Sequence, residues 1–168
     1  MVDRTLTGRV WKFGDNMNTD LMMPTITFAM PVEDQKKYVF ESIRPGWHRL
    51  VKQGDMIIGG RNFGTGSSRP GARLLRELGI VAVVAESLNG LFLRNCVNYG
   101  VVGLACPGVS SLFAEGEEAV VEPYRCEIRN RARPGDGPLT GRALPPELIE
   151  LALEGGVRPL LKKQGYLN

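Results

Sequence analysis

Cysteine and histidine are scarce in this chain: of 168 residues, three are cysteine and one is histidine. Cys96, Cys106 and Cys126 form an odd set with no Cys-x-x-Cys spacing. That argues against a disulfide framework and against a metal or cluster site built from this chain alone. Free thiols in a reducing cytoplasm are the expectation. Long apolar runs are missing too, since nothing approaches the roughly 20 residues a membrane helix needs. The opening MVDRTLTGRVWKFG holds no apolar run that could act as a signal peptide. Dense basic stripes are also lacking. The net charge of +3 comes from arginines spread along the chain, which sets a nucleic-acid partner aside. A cytoplasmic protein with no membrane attachment is therefore expected. Lysine is absent between Lys52 and Lys162, which removes the Gly-Lys-Ser/Thr of a Walker loop.

What is present is ordinary in bulk and pointed in one place. An apolar fraction of 43% and a charged fraction of 23% suit a globular protein. The length suits one domain with a real core, taken as residues 1–168. Residues 7–14 alternate like an opening strand, and 55–60 read as a short buried strand ending in glycine. GGRNFGTGSSRPG (59–71) follows. RPGARLLRELG then reads as a helix stopped by Gly79, and IVAVVAE (80–86) as a strand covered on both faces. A second helix, capped by Ser87, runs to Gly100 and leads into the strand VVGLAC. This is a βαβ core. Asp34 is expected to cap a helix over 34–43. Past residue 107, two strands flank a turn at Glu122–Pro123, 132–141 reads as an exposed loop, and PPELIELALEGG as a short helix. The architecture expected is layered α/β, with the glycine loop at the carboxyl end of a strand, where such sheets bind ligands.

Pro70 suits the first position of the helix and Arg69 its N-cap. The helix start, two hydroxyls and a guanidinium together make an anion site. Arginine suits a carboxylate, which it can grip with two parallel hydrogen bonds. A dinucleotide is disfavoured because Gly64, Gly66 and Gly71 miss the GxGxxG spacing. A serine hydrolase is disfavoured because GxSxG is absent. A serine beside backbone N–H groups and a cation can also act as a base.

GRNFGTGSSR, the AES after a strand, LFLRNCVNYG and the upstream GDNMNTDLMMP resemble the small subunit of isopropylmalate isomerase (3-isopropylmalate dehydratase), which is related to the swivelling domain of aconitase. The matches run from about residue 8 to residue 104. The resemblance implies a swivelling β/β/α three-layer fold. It also implies dehydration and rehydration of a small hydroxy-dicarboxylic acid, a step of leucine biosynthesis, by a hydro-lyase active only with an aconitase-like large subunit. The cofactor it implies, a 4Fe–4S cluster, lies in that large subunit, with none in this chain. Carried over position by position, Ser67 is the catalytic base, and Thr19 and Asp20, in a turn facing the active site, are catalytic with it. Ser68 and Arg69 bind a substrate carboxylate. Gly66 and Asn62 shape the loop, and Phe28 belongs to the segment lining the substrate's side-chain pocket. Asn95 and Asn98 match helix positions and are read as structural. One departure stands out. The family continues Ser-Ser-Arg-Glu-His-Ala, whereas here Pro70 and Gly71 take the Glu and His places. That leaves the alkylmalate open. Dimethylmalate and homoaconitate dehydratase subunits are alternatives, as is a non-catalytic anion-binding module.

Overall fold

The computed structural model of the chain describes residues 3–66 and 69–168. Seven strands form one mixed sheet. They are β1 (Leu6–Lys12), β2 (Met56–Gly59), β3 (Ala82–Ala85), β4 (Val102–Ala105), β5 (Glu118–Glu122), β6 (Glu127–Asn130) and β7 (Leu139–Thr140). Their order is β4-β3-β2-β1-β5-β6-β7. β1 to β4 are parallel to one another, with Val10 opposite Met56 and Ile57 opposite Val83. β5 to β7 run antiparallel, starting with Leu6 opposite Val121. β1 therefore sits where the parallel half gives way to the antiparallel half.

The helices are α1 (Thr19–Met22), α2 (Val32–Gln35), α3 (Gly71–Leu78), α4 (Gly90–Tyr99), α5 (Val109–Leu112), α6 (Pro146–Leu153) and α7 (Val157–Lys163). Alternation along each strand divides the core between the sheet's two faces. Met56, Ile58, Val84 and Leu104 pack on one face with Val121, Ile128 and Ile149. Ile57, Val83 and Ala85 pack on the other with Leu74 and Leu75 of α3 and Phe92 of α4. Burial on both sides is why 80–86 carries no polar alternation. The sheet curls, giving the mixed α/β class and swivelling-domain layers that the resemblance implied.

Helix ends follow the glycines. Gly79 and Gly100 are left-handed (φ 111° and 79°). Ile80 and Val101 then donate their N–H groups to Leu75 and Cys96 carbonyls, closing α3 and α4 in Schellman turns. Three local expectations are corrected. Ser87 does not cap α4. Its hydroxyl accepts the Asn62 N–H instead, and Asn89 caps by accepting from Leu91 N–H. Asp34 does not open a helix over 34–43. Pro31 starts α2, a 3₁₀ turn continues it to Tyr38, and extended Val39 ends it, while Asp34 pairs with Lys37. The stretch 132–141 is not wholly loop, because Leu139–Thr140 add a last strand beside β6.

Candidate active site

Two segments leave the carboxyl ends of β1 and β2 and stay zipped together. Phe13 N–H donates to Ile58 O, Gly60 to Gly14, Asn16 to Arg61, Gly64 to Met17 and Thr19 to Thr65, at 2.7–3.1 Å. Asp15 Oδ1 accepts from Arg61 N–H at 2.7 Å. The glycine loop and the Thr-Asp turn are therefore one unit, held mainly by backbone hydrogen bonds. Gly64 shows why glycine is needed. Its φ is +81°, and a Cβ there would stand 2.1 Å from Cγ of Phe92.

The site residues expected from sequence separate into three groups. Ser67 and Ser68 lie outside the described residues. Thr19 is buried (1% exposed), with the Gly66 backbone close to its hydroxyl, 3.3 Å from where a Cβ at Gly66 would stand. Asn62, at φ 54°, spans the two segments by donating Nδ2–H to Asn16 Oδ1 at 3.1 Å. These positions form the frame of the loop.

The remaining three come together. Arg69 Nη1 lies 2.6 Å from Asp20 Oδ1 and donates to the Met23 carbonyl at 3.2 Å. Nη2 reaches Thr25 Oγ1 at 3.1 Å, and the guanidinium carbon sits 4.9 Å from the centre of the Phe28 ring. Met23 and Thr25 were not anticipated, and the sequence carries no signal for them. Asp20 itself stands in the first turn of α1, whose start is capped by Asn18 accepting Leu21 N–H. The segment carrying Phe28 turns its apolar side chains outward, with Ile26 69% and Phe28 51% exposed.

The start of α3 differs from expectation by one place. Pro70 (φ −78°, ψ 57°) is the N-cap, and Gly71 is the first helical residue. Gly71 N–H donates back to Arg69 O at 2.8 Å, an inverse γ-turn. One first-turn donor of the expected anion site is thus already committed. Gly71 also packs on buried Met22, whose Sδ would lie 2.7 Å from a Cβ there. A larger residue in the family's His place would displace Met22.

Glu86, the acid of the AES motif, anchors the neighbouring loop. It accepts from Gly108 and Ser110 N–H at 2.7 and 2.9 Å. Burial pushes its carboxyl up, but the hydrogen bonds from Ser110 and Gly108 outweigh that and hold it below the usual range. Among the described residues, no three His, Cys, Asp or Glu side chains gather as metal ligands. Cys96 is buried on the α3/α4 face of the sheet, and Cys106 and Cys126 on the opposite face. Burial raises all three thiol pKa values, that of Cys106 to about 11. A groove of about 1000 Å³ lies elsewhere, between Arg73, Arg76, Tyr99 and Arg158.

Comparison with known proteins gives one answer by three routes. Residues 33–108 match the aconitase C-terminal domain family. The isopropylmalate/citramalate isomerase small subunit of Methanocaldococcus jannaschii is 41% identical over 160 residues, 94% of each chain. The 3-isopropylmalate dehydratase small subunit 1 of Methanopyrus kandleri is 35% identical, over 94% of this chain and 93% of that one. The crystal structure of 3-isopropylmalate dehydratase from Methanocaldococcus jannaschii superposes with a TM-score of 0.83 at 27% identity, covering 96% and 95% of the two chains.

Proposed function

Since the chain belongs to the 3-isopropylmalate dehydratase small-subunit family, we propose that Arg69 grips a carboxylate of an alkyl-substituted malate while Ser67 takes the proton from the adjacent carbon. The observation that carries this reading is the setting of Arg69. Its side chain is 20% exposed, bonded to Met23 O and Thr25 Oγ1, paired with the more exposed Asp20, and next to an outward-facing apolar segment. A cation with little access to water favours an anion that brings its own charge.

The chemistry is elimination of water, run in either direction. The proton of the carbon–hydrogen bond passes to a Ser67 alkoxide, the bond's electron pair forms the alkene, and the hydroxyl leaves the neighbouring carbon as hydroxide, which takes up a proton to become water. Arg69 fixes the carboxylate that acidifies that hydrogen, and its ion pair with Asp20 ties it to the zipped segments. A small subunit implies a large one. We place a 4Fe–4S cluster there, because the residues of this chain do not fit it: its three thiols are buried on opposite faces of the sheet. We read residues 1–168 as a single swivelling domain. Among the described residues no helix is long and apolar enough to cross a membrane, and we take the enzyme to be cytoplasmic.

Substrate preference follows from the outward-facing segment. Residues 24–31 contain no Lys, Arg or His. Arg44, a cation from farther along, pairs with Glu115 and stacks over Phe13. Exposed Arg61 of the glycine loop is the other candidate cation, and it interacts with Glu86; without it, a third substrate carboxylate would lack a partner, which is costly once buried. Ile26 and Phe28 suit an alkyl group, each methylene contributing about 0.8 kcal/mol.

The test is co-expression with an aconitase-like large subunit, anaerobic cluster reconstitution, and ultraviolet detection of alkene formed from isopropylmalate or dimethylmalate and of alkene consumed from homoaconitate. Turnover needs both chains, and kcat/KM is highest for an alkylmalate. Arg69→Lys raises KM, because an ammonium cannot reproduce the two-pronged contact. A tricarboxylate winning the comparison overturns the apolar pocket. No turnover with any acid returns the chain to a binding module.

A further inference from the structure

The cation proposed to hold substrate already has a carboxylate from its own chain. Asp20 Oδ1 lies 2.6 Å from Arg69 Nη1. The two partners are unequally exposed: the Arg69 side chain is 20% exposed and that of Asp20 is 60%. The other described contacts of the guanidinium are of a different kind. Met23 O, Thr25 Oγ1 and the Phe28 ring are uncharged, and all lie in residues 23–28. They fix where the guanidinium sits. Asp20 contributes charge from α1, and most of its surface is in water.

We propose that Asp20 is an internal competitor for Arg69, occupying the position a substrate carboxylate takes and yielding it on binding. This rests on the reading of Arg69 as the carboxylate grip. Exchange of one carboxylate for another leaves the half-buried cation paired throughout, so the step avoids the cost of an unpaired charge. The released Asp20 returns to water it already touches. An ion pair with one exposed partner is worth little. Holding Arg69 in the paired form therefore weakens substrate binding by only about three- to fivefold. Asp20 is on this view neither a proton carrier nor a clamp. It lowers affinity for any single weak anion and favours acids able to displace it while making further contacts.

The proposal predicts opposite signs at two neighbouring contacts of the same guanidinium, measured in the reconstituted two-subunit enzyme with isopropylmalate. Asp20→Asn lowers KM about three- to fivefold, and kcat moves less than KM does. Thr25→Val removes an uncharged support of Arg69 and raises KM. If Asp20 merely repelled anions at a distance, Asp20→Asn would lower KM equally in an Arg69→Gln background. A competitor has nothing to vacate there, so the benefit disappears. A higher KM for Asp20→Asn overturns the proposal, because it makes Asp20 a positioning residue. A fall in kcat of about 10²-fold or more overturns it by making Asp20 part of the proton path. If Arg69→Gln alone leaves KM unchanged, the carboxylate grip itself is wrong. If Arg69→Gln raises KM and only the Asp20 result fails, the grip stands without its competitor.

Discussion

Two aspartate–arginine pairs, each with a closest N–O distance of 2.6 Å, lie at opposite ends of the parallel strands and are built in opposite senses. At the amino end of β2, Asp55 is buried (side chain 6% exposed) and Arg9 reaches it from a side chain 37% exposed. Trp11 Nε1–H and Lys52 N–H also donate to Asp55, at 2.8 and 2.9 Å. Past the carboxyl ends, Arg69 is the less exposed partner (side chain 20% exposed) and Asp20 the more exposed one (60%). A buried acid with four donors in place has no second state available to it. A half-buried base whose acid faces water can change partner. The same residue types thus make a fastening at one end of the sheet and an exchangeable contact at the other, where open α/β sheets bind ligands.

The largest effect expected on breaking this contrast is chemical and belongs to the carboxyl end. Ser67→Ala in the reconstituted enzyme lowers kcat by roughly 10²–10⁴-fold, the usual contribution of a general base. Near-normal turnover would remove Ser67 from the role. The amino end should fail in stability instead. Asp55→Ala costs about 2–3 kcal/mol in urea unfolding, the low side for a broken buried pair because Arg9 keeps contact with water. It leaves kcat/KM of the folded complex nearly intact. The pH dependence has a definite sign. Burial raises the Asp55 carboxyl, but hydrogen bonds from Arg9, Lys52 and Trp11 hold it below the ordinary 3.8. Its stabilising contribution is therefore complete above about pH 4 and lost as pH falls through the lower folded value. The difference between the wild-type chain and Asp55→Asn should shrink over that acid range and stay flat at neutral pH.

Gly64→Ala tests whether the two ends are separable. The strained φ and the clash with Phe92 cost about 2 kcal/mol, and here melting temperature and kcat/KM should fall together, because the residue holds the loop in place. Asp20→Asn is the smallest, shifting unfolding free energy by no more than about 0.5 kcal/mol. A loss near that of Asp55→Ala would mean the two pairs are alike after all.

Much of the frame was legible in the sequence, and the reasons are local. IVAVVAE reads as a doubly covered strand because both faces of β3 meet core. Gly79 and Gly100 read as helix ends because left-handed geometry favours their residue type. The errors are also local. Ser87 was read as a cap, but a hydroxyl can serve either its own helix or another segment, and sequence does not say which. Pro70 was placed one residue too far into α3, because its γ-turn depends on ψ, which proline does not fix. Leu139–Thr140 is too short to show a pattern. At the site, the motifs placed Arg69, Asp20 and Phe28 at one active site, but the ion pair of Arg69 with Asp20 and its contacts with Met23 and Thr25 depend on how two distant segments zip together. Nothing in the order of residues records that.

The three buried thiols give the chain a way to report on its own opening. Each thiol is buried and poorly ionised, so an alkylating reagent reacts only when the surrounding layer opens. Cys96 lies under the helical layer, and Cys106 and Cys126 lie on the other side of the sheet. Mass spectrometry of timed alkylation will therefore distinguish which side of the sheet opens first, with no dye, tag or introduced cysteine.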